Sequence, residues 1–239
     1  LGVMLRAHRR AKTLRIVLSE LQRYGTFPGV DVRPLAMVDR ATPEVRSLLA
    51  EFKVPIIESP FPLLEPGRER FMEALNIHLK ELEKCDPDWV LVQDDDNWFE
   101  PTRITAELPA ALAERDVDAY FMRVLFFQDS PTTYNSRRYH QSIQLWRHIK
   151  GFRYTGHRTI FVPDSLHDAA IIACRTRILR TPAMDFGGFT EDERIAVYTA
   201  YERAGKIDEF TRSLIESPAL RRFPDDYDQA YGPWQNLYA

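Results

Sequence analysis

Three consecutive carboxylates, Asp94, Asp95 and Asp96, are the residues whose type and spacing point most directly to chemistry. They follow the apolar run from Trp89 to Val92, which predicts a short buried strand. Open α/β sheets bind ligands at the carboxyl ends of their strands. Because poorly solvated carboxylates repel one another, such a cluster shifts its pKa values or binds a cation. Mg²⁺ and Mn²⁺ prefer carboxylate oxygen and complete their shells with water and phosphate. The stretch indicates a site for a metal and a phosphorylated ligand; the alternative is a solvated acidic turn.

The segment before the triplet alternates strand patterns with helix patterns. Apolar runs predict strands at residues 3–5, 32–38, 54–57 and 89–92, and apolar spacing predicts three helices between them. Thr13 and Thr42 are the expected N-caps of the first two helices, and the third runs over residues 68–84. This alternation predicts an α/β fold with a mostly parallel, doubly wound (Rossmann-like) central sheet flanked by helices. His78 lies near the apolar stripe of the third helix, where it is expected to pack and not to bind a ligand.

The triplet and the helix before it resemble nucleotide-sugar glycosyltransferases of the GT-A fold, close to the large family-2-like group. In that fold a D-x-D motif ends the strand before the active site, and it matches Asp94-Asp95-Asp96 here. The stretch from Gly67 to Asn76 resembles the family's segment that ends in Ala-Leu-Asn before this strand. The resemblance covers about the first half of the chain, up to Phe127.

This resemblance implies a GT-A-like enzyme that moves a sugar from a UDP- or GDP-sugar to an acceptor, with Mn²⁺ or Mg²⁺ as cofactor. It places the ribose near Asp94 and the metal on Asp96, with Asp94 and Asp185 as further ligands. The basic loop after the first strand and the end of the second strand are where the fold contacts the nucleotide. The nucleotide-binding candidates are therefore Arg6, His8, Arg9, Asp39, Arg70, Asn76, Asp94 and Asp95. For Asp39 the other interpretation is a polar strand terminus, and for the basic loop it is a solvated turn.

A second acidic position precedes the capping box that runs from Thr190 to Glu193. Many family-2-like enzymes carry a metal-binding histidine before a glycine here, and this sequence has Asp185-Phe186-Gly187-Gly188 instead. Asp is also a suitable ligand for a hard metal. Asp185 is therefore a candidate third metal ligand or catalytic base. The other interpretation is that Asp185 is only a residue of the loop that enters the next helix. Asp168, which follows His167, is the other candidate base, and the stereochemistry stays open.

Length and composition fit one globular domain. The 239 residues are 44% hydrophobic and 28% charged, with a net charge of −3. We divide the domain into a nucleotide-binding half at about 1–100 and an acceptor-binding half at about 101–239. The charge argues against general attraction to nucleic acid or membrane. The two cysteines form no disulfide framework, so we expect a cytoplasmic protein, and no apolar run is long enough to span a membrane. Because the chain begins with Leu1, we expect residues before it.

Residues 128–157 concentrate positive charge and aromatic rings after a predicted strand at 119–127. This segment could bind an anionic acceptor, even nucleic acid, by phosphate contact and stacking. We favour a loop over the active site that helps to neutralise the diphosphate, with a saccharide as the acceptor. Further strands are predicted at 158–162 and 169–174, and a last helix at 207–216.

Other functions stay open on the sequence. A nucleotidyltransferase would have glycine in its phosphate loop, but none lies between Arg6 and Lys12. A haloacid-type phosphatase would have Thr or Val where Trp98 stands. A catalytically silent binding module and a glycosyltransferase acting on nucleic acid are the remaining alternatives. No G-x-G-x-x-G or Walker motif is present, which favours a metal as the phosphate-binding device.

Overall fold

One sheet of ten strands forms the centre of the described part of the chain, and helices pack on it. The structure, a computed structural model, describes residues 1–61, 68–148, 153–154, 175–187, 190, 192–195 and 220–225. For residues 68–70 and 137–142 it describes the backbone alone. The strands predicted at 158–162 and 169–174 and the helix predicted at 207–216 lie outside the described residues.

The first half of the chain builds the parallel part of the sheet, in the order β3-β2-β1-β4. Its strands are β1 (Gly2–Ala7), β2 (Arg33–Val38), β3 (Ile56–Glu58) and β4 (Trp89–Asp94). The connecting helices are α1 (Ala11–Tyr24), α2 (Pro43–Glu51) and α3 (Arg68–Leu82), the last followed by a 3₁₀ turn at Glu83–Cys85. β1, β2 and β3 are each followed by a helix, as the sequence predicts.

The second half extends this sheet beyond β4 in the order β7-β6-β9-β5. Its elements are β5 (Asn97–Phe99), α4 (Pro101–Ala113), β6 (Ala119–Phe127), β7 (Thr133–Arg147), β8 (Thr176–Ile178), β9 (Ala183–Asp185) and β10 (Leu220–Arg222). β7 runs antiparallel to β4 and β6, whereas β9 runs parallel to β6. The predicted α/β class, with a helix-flanked sheet containing parallel strands, is confirmed; antiparallel pairs join it in the second half.

The prediction of a loop over residues 128–157 is wrong for half of that segment, because residues 133–147 form β7. This strand lies between β4 and β6, and its residues Leu145 and Trp146 are fully buried. The Arg147 guanidinium lies 4.6 Å from the ring of Trp89, at the amino end of β4. The acidic triplet is at the opposite end of β4. Arg147, which belongs to the basic segment that was expected to help neutralise the diphosphate, therefore lies far along the strand from the acidic triplet.

Local expectations in the helices are mostly confirmed. The Thr42 hydroxyl accepts from the Val45 amide at the start of α2, as predicted for an N-cap. The predicted cap Thr13 is wrong, because α1 begins at Ala11 and the Thr13 hydroxyl donates to the Arg10 carbonyl. α4 continues through Pro109 without a break.

Both faces of the central strand β1 are buried, which limits where polar residues can lie. Along β1, Val3 and Leu5 pack in the apolar layer beneath α1, α2 and α4, while Met4 packs in the layer beneath α3. Polar side chains are thereby directed to the strand ends. Among the described residues, no helix combines the length and apolar character that crossing a membrane requires.

Candidate functional site

The carboxyl ends of β1, β2 and β4 meet at one edge of the sheet. Arg6 pairs with Asp94 across the β1–β4 ladder, and Ala7 pairs with Val38 across the β1–β2 ladder. The loop after β1, the residue after β2 and the acidic triplet therefore lie next to one another. This edge is where parallel α/β sheets bind their ligands.

Arg6 forms an ion pair with Asp94 and makes one hydrogen bond to it. Its Nη2 donates to Asp94 Oδ2 over 2.6 Å, and its Nε lies 2.5 Å from Asp94 Oδ1. Asn97 also donates to Asp94 Oδ2, over 3.3 Å, and the guanidinium lies 5.6 Å from the Phe71 ring centroid. The short ion pair and the charge-assisted hydrogen bond keep the two side chains facing each other. The carboxylate of Asp94 is thus oriented toward Arg6.

Asp95 and Asp39 are joined through His8. The His8 amide donates to Asp95 Oδ2 over 2.8 Å, and the His8 ring Nδ1 contacts the backbone carbonyl of Asp39. Burial, followed by the charge of Asp94, raises the pKa of Asp95, and the bond from the His8 amide opposes this shift. The Asp39 side chain is itself buried, with Arg40 Nε 3.1 Å from its Oδ1. Asp39 therefore lies at the site edge but is covered by its neighbours.

Asp185 reaches the site through the antiparallel pairing of β5 with β9. Asn97 stands opposite Asp185 in this ladder, and the Phe186 amide donates to the Asp96 carbonyl over 2.8 Å. The Asp185 carboxylate then accepts from the Gly187 amide over 2.7 Å. A Cβ on Gly187 would lie 2.7 Å from Asp96 Oδ2 and 2.9 Å from Asp185 Oδ1. The two carboxylates thus converge on the same point beside Gly187.

Arg10 is the cation next to this pair of carboxylates. Its Nη1 donates to Asp96 Oδ2 over 2.5 Å, and its Nη2 donates to the Gly187 carbonyl over 3.2 Å. Nonetheless, burial, followed by the charges of Asp185 and Asp95, raises the pKa of Asp96 well above its usual value. In the described part of the site the carboxylates of Asp94, Asp95, Asp96 and Asp185 outnumber the two guanidinium groups beside them, Arg6 and Arg10.

The donor set fits a hard divalent cation held by few protein ligands. Asp96 and Asp185 supply carboxylate oxygens around one point, and the surplus negative charge there favours a further cation. In the described ranges, no three His, Cys, Asp or Glu side chains are close enough together to hold a metal by themselves. A pair of carboxylates is the arrangement in which Mg²⁺ retains water and binds substrate phosphate.

The structure brings six of the sequence-predicted site residues to this edge directly: Arg6, His8, Asp94, Asp95, Asp96 and Asp185. Asp39 adjoins them through His8. Arg9, in the same loop, is exposed. Asp168 and the side chain of Arg70 lie outside the described residues.

Asn76 has a different set of partners from the one expected. Its Nδ2 donates to the Tyr154 carbonyl over 3.0 Å, and its Oδ1 accepts from the Tyr154 amide over 2.6 Å. Both ends of the amide are therefore engaged by the backbone of one residue. This geometry ties α3 to the chain at Tyr154, and nucleotide binding by Asn76 stays a prediction.

Asn97 was not singled out from the sequence, and Arg10 and Gly187 were considered only as members of the basic loop and of the stretch that follows Asp185. Arg10 stands in the basic loop, but its bonds to the carbonyls of Phe186 and Gly187 depend on where β9 lies. Asn97 is buried and accepts at Oδ1 from Gln93 over 2.6 Å while donating to Asp94. Gly187 stands in the stretch that resembles the family pattern, and that pattern is the signal that could have identified it.

Comparisons with known proteins give distant structural neighbours. No family model and no curated protein matches the sequence. The chain is similar to S. aureus TarS, with 13% identity over 90% of this chain and 42% of that chain, and a TM-score of 0.49. It is similar to glucosyl-3-phosphoglycerate synthase from Mycobacterium tuberculosis in complex with Mn²⁺, UDP-glucose and phosphoglyceric acid, with 11% identity over 87% and 80% of the two chains and a TM-score of 0.47.

A third neighbour is a CMP:2-keto-3-deoxy-manno-octonic acid synthetase complexed with CTP, with 10% identity over 86% of this chain and 99% of that chain, and a TM-score of 0.40. The chain spans less than half of the TarS chain that it matches. Identities and scores of this size do not assign the chain to a family.

Proposed function

We propose that this chain is a metal-dependent glycosyltransferase domain that moves a sugar from a nucleoside-diphosphate sugar to an acceptor. The observation that carries the proposal is the convergence of Asp96 and Asp185 beside Gly187, at the carboxyl edge of the sheet, with negative charge that Arg10 leaves unbalanced. A diphosphate ligand needs cationic contacts, and the described site offers a carboxylate pair that a metal can use. The resemblance of the Asp triplet to the D-x-D motif supports the same assignment.

Asp96 and Asp185 would hold the metal, Mn²⁺ or Mg²⁺. Bound there, the metal would offset the charge that develops on the departing diphosphate, a Lewis-acid role. The sequence also assigned Asp94 to the metal, but its two carboxylate oxygens are engaged by Arg6. We therefore assign Asp94 to nucleotide contact, with Arg6 as the residue that orients it.

The nucleotide would lie along the ends of β1, β2 and β4. His8 is placed to organise this surface, because its amide holds Asp95 and its ring contacts the Asp39 backbone. Asp39 is the proposed contact for the base or ribose. It lies in the proposed nucleotide-binding half of the chain, at about 1–100. Asp185 and Asp168 are the proposed candidates for the base that activates the acceptor hydroxyl.

A thermal-shift panel of nucleoside diphosphates and their sugars, each with Mn²⁺ and with EDTA, tests this proposal. A ligand that binds only the folded protein raises its stability by mass action. We expect UDP or GDP, or one of their sugars, to raise the melting temperature in Mn²⁺ and to lose that effect in EDTA. The function is contradicted if no member of the panel shifts the melting temperature, or if the shift is equal in EDTA.

Product analysis separates the proposal from a nucleotidyltransferase. Incubation with the stabilising nucleotide sugar and Mn²⁺ should release the nucleoside diphosphate, by slow transfer to water when the acceptor is absent. Release of pyrophosphate from a nucleoside triphosphate and a sugar phosphate would instead support the alternative. Binding that is accompanied by neither reaction would support a silent binding module.

A further inference from the structure

The two arginines in the carboxylate cluster are held in different ways. Arg6 contacts both carboxylate oxygens of Asp94, with its Nη2 donating to one of them, and lies beside the Phe71 ring with 15% of its side chain exposed. Arg10 reaches Asp96 through a single nitrogen and is 26% exposed. Its remaining bonds go to the backbone carbonyls of Phe186 and Gly187, over 3.5 Å and 3.2 Å. Arg10 is therefore the more exposed of the two arginines. It contacts one carboxylate oxygen and two backbone carbonyls, whereas Arg6 contacts both oxygens of one carboxylate.

Arg10 also lies where the metal is expected. A Cβ built on Gly187 would be 2.7 Å from Asp96 Oδ2, 2.9 Å from Asp185 Oδ1 and 3.1 Å from Arg10 Nη1. The guanidinium and the two carboxylates thus surround one point. A cation held by Asp96 and Asp185 would need the Asp96 oxygen that Arg10 now occupies, and two cations at this spacing repel one another.

The position of Arg10 in the chain permits it to move. It is the residue before the first turn of α1, and its side chain makes no capping bond to that helix. Its backbone carbonyl accepts from the Leu14 amide, so the main chain stays fixed while the side chain turns. The first turn of α1 carries no acidic residue that would capture the guanidinium. Turning the side chain away from Asp96 therefore leaves the helix intact.

We propose that Arg10 neutralises Asp96 in the empty site and, when a metal–diphosphate enters, leaves Asp96 to the metal and contacts the diphosphate. This proposal rests on the proposed function. A guanidinium pairs well with phosphate oxygens, so the bond lost at Asp96 is replaced by one to the ligand. The exchange makes metal binding unfavourable without diphosphate and favourable with it. Metal and diphosphate then bind with positive coupling, which is reciprocal.

Calorimetric titration of Arg10→Gln with Mn²⁺ alone tests the competition directly. The variant should bind Mn²⁺ at least about fivefold more tightly than the unaltered chain, a factor that corresponds to one partly exposed ion pair. In saturating Mn²⁺ the same variant should bind the nucleoside diphosphate more weakly, by about tenfold, because a charge-assisted contact is lost. The control is Lys12→Gln, which removes one exposed positive charge from the same region. It should match the unaltered chain in the Mn²⁺ titration.

Arg10→Lys is the second variant, and it guards against a folding defect in Arg10→Gln. It keeps the charge but shortens the reach, so its Mn²⁺ affinity should lie between those of the unaltered chain and Arg10→Gln. The inference is overturned if Arg10→Gln binds Mn²⁺ no more tightly than Lys12→Gln, or if it binds the diphosphate as well as the unaltered chain does. Failure of the proposed function is visible separately, as an unaltered chain that binds neither UDP nor GDP in Mn²⁺.

Discussion

Asp185 stands directly opposite Asn97 in the ladder between β5 and β9, and this pairing places its carboxylate beside Asp96. Neither residue lies on the parallel strands that the first half of the chain builds. The site therefore depends on the short antiparallel pair of β5 and β9. A change that loosens β9 should weaken the site. The aromatic contact between Trp98 and Phe186, stacked at 4.3 Å, reinforces the same pairing.

Gly187→Ala tests whether space beside the carboxylates matters. The added methyl group would lie 2.7 Å from Asp96 Oδ2 and 2.9 Å from Asp185 Oδ1, so the carboxylates must move. Strain of about 1–3 kcal/mol corresponds to a loss of about five- to 150-fold in Mn²⁺ affinity. Calorimetric titration with Mn²⁺ in the presence of UDP or GDP measures this affinity. Gly25→Ala, at the end of α1 and away from the carboxylates, is the control and should bind as the unaltered chain does. Equal affinities in the two variants would refute the expectation.

Glu107→Ala tests the anchor of the segment that leads into β9. Glu107 is buried on α4 and accepts from the amides of Arg180 and Thr181, each over 2.8 Å, and from the Thr181 hydroxyl over 2.6 Å. Removing the carboxylate leaves buried donors unpaired, so the free energy of unfolding should fall by about 3 kcal/mol in urea denaturation.

Glu107→Gln is the matched control, since it retains one acceptor oxygen and should lose less stability than Glu107→Ala. Because β9 begins just after Thr181, we also expect weaker Mn²⁺ binding in Glu107→Ala. A Glu107→Ala protein as stable as the unaltered chain would show that this anchor is unimportant.

His78→Gln tests a pH dependence that arises in the core. The His78 Nε2 contacts the Leu35 carbonyl over 2.8 Å, and Nδ1 has no hydrogen-bond partner among the described residues. Burial lowers the pKa of His78 to about 4. Between the unfolded value of 6.5 and about 4, the unfolded chain binds a proton here that the folded chain does not.

The free energy of unfolding should therefore decrease as the pH falls through this interval, by ~3 kcal/mol in total from His78. Urea denaturation at several pH values measures the slope. His78→Gln removes the titrating group, so its slope should be shallower, whatever its stability at neutral pH. An unchanged slope would mean that another group is responsible.

The parts of the fold that the sequence predicts well are those specified by local patterns. The helices α1, α2 and α3 have apolar residues at helical spacing, and β4 is a continuous apolar run ahead of the triplet. The capping box is also local, and the structure shows the reciprocal bonds between Thr190 and Glu193. Such features depend on neighbours within a few positions.

The parts that were missed depend on pairing between distant segments. β7 carries charged and aromatic residues without a clean alternation, so only its place between β4 and β6 explains why it is a strand. β5, β8, β9 and β10 have three residues each, too few for any periodic pattern. The full set of bonds around Arg10 also depends on distant pairing, because two of the guanidinium's acceptors are the carbonyls of Phe186 and Gly187, which follow β9.

The central claim is that Asp96 holds a metal for a nucleoside diphosphate, and calorimetric titration of Asp96→Asn with UDP or GDP in Mn²⁺ tests it most directly. Because burial and neighbouring carboxylates raise the pKa of Asp96, its charge is unfavourable in the folded protein without a metal. The variant should therefore fold with equal or greater stability. Metal-dependent nucleotide binding should be lost, and a deficit of even ~3 kcal/mol at the transition state would lower the rate about a hundredfold. A folded Asp96→Asn protein with unaltered Mn²⁺-dependent nucleotide binding would contradict the account.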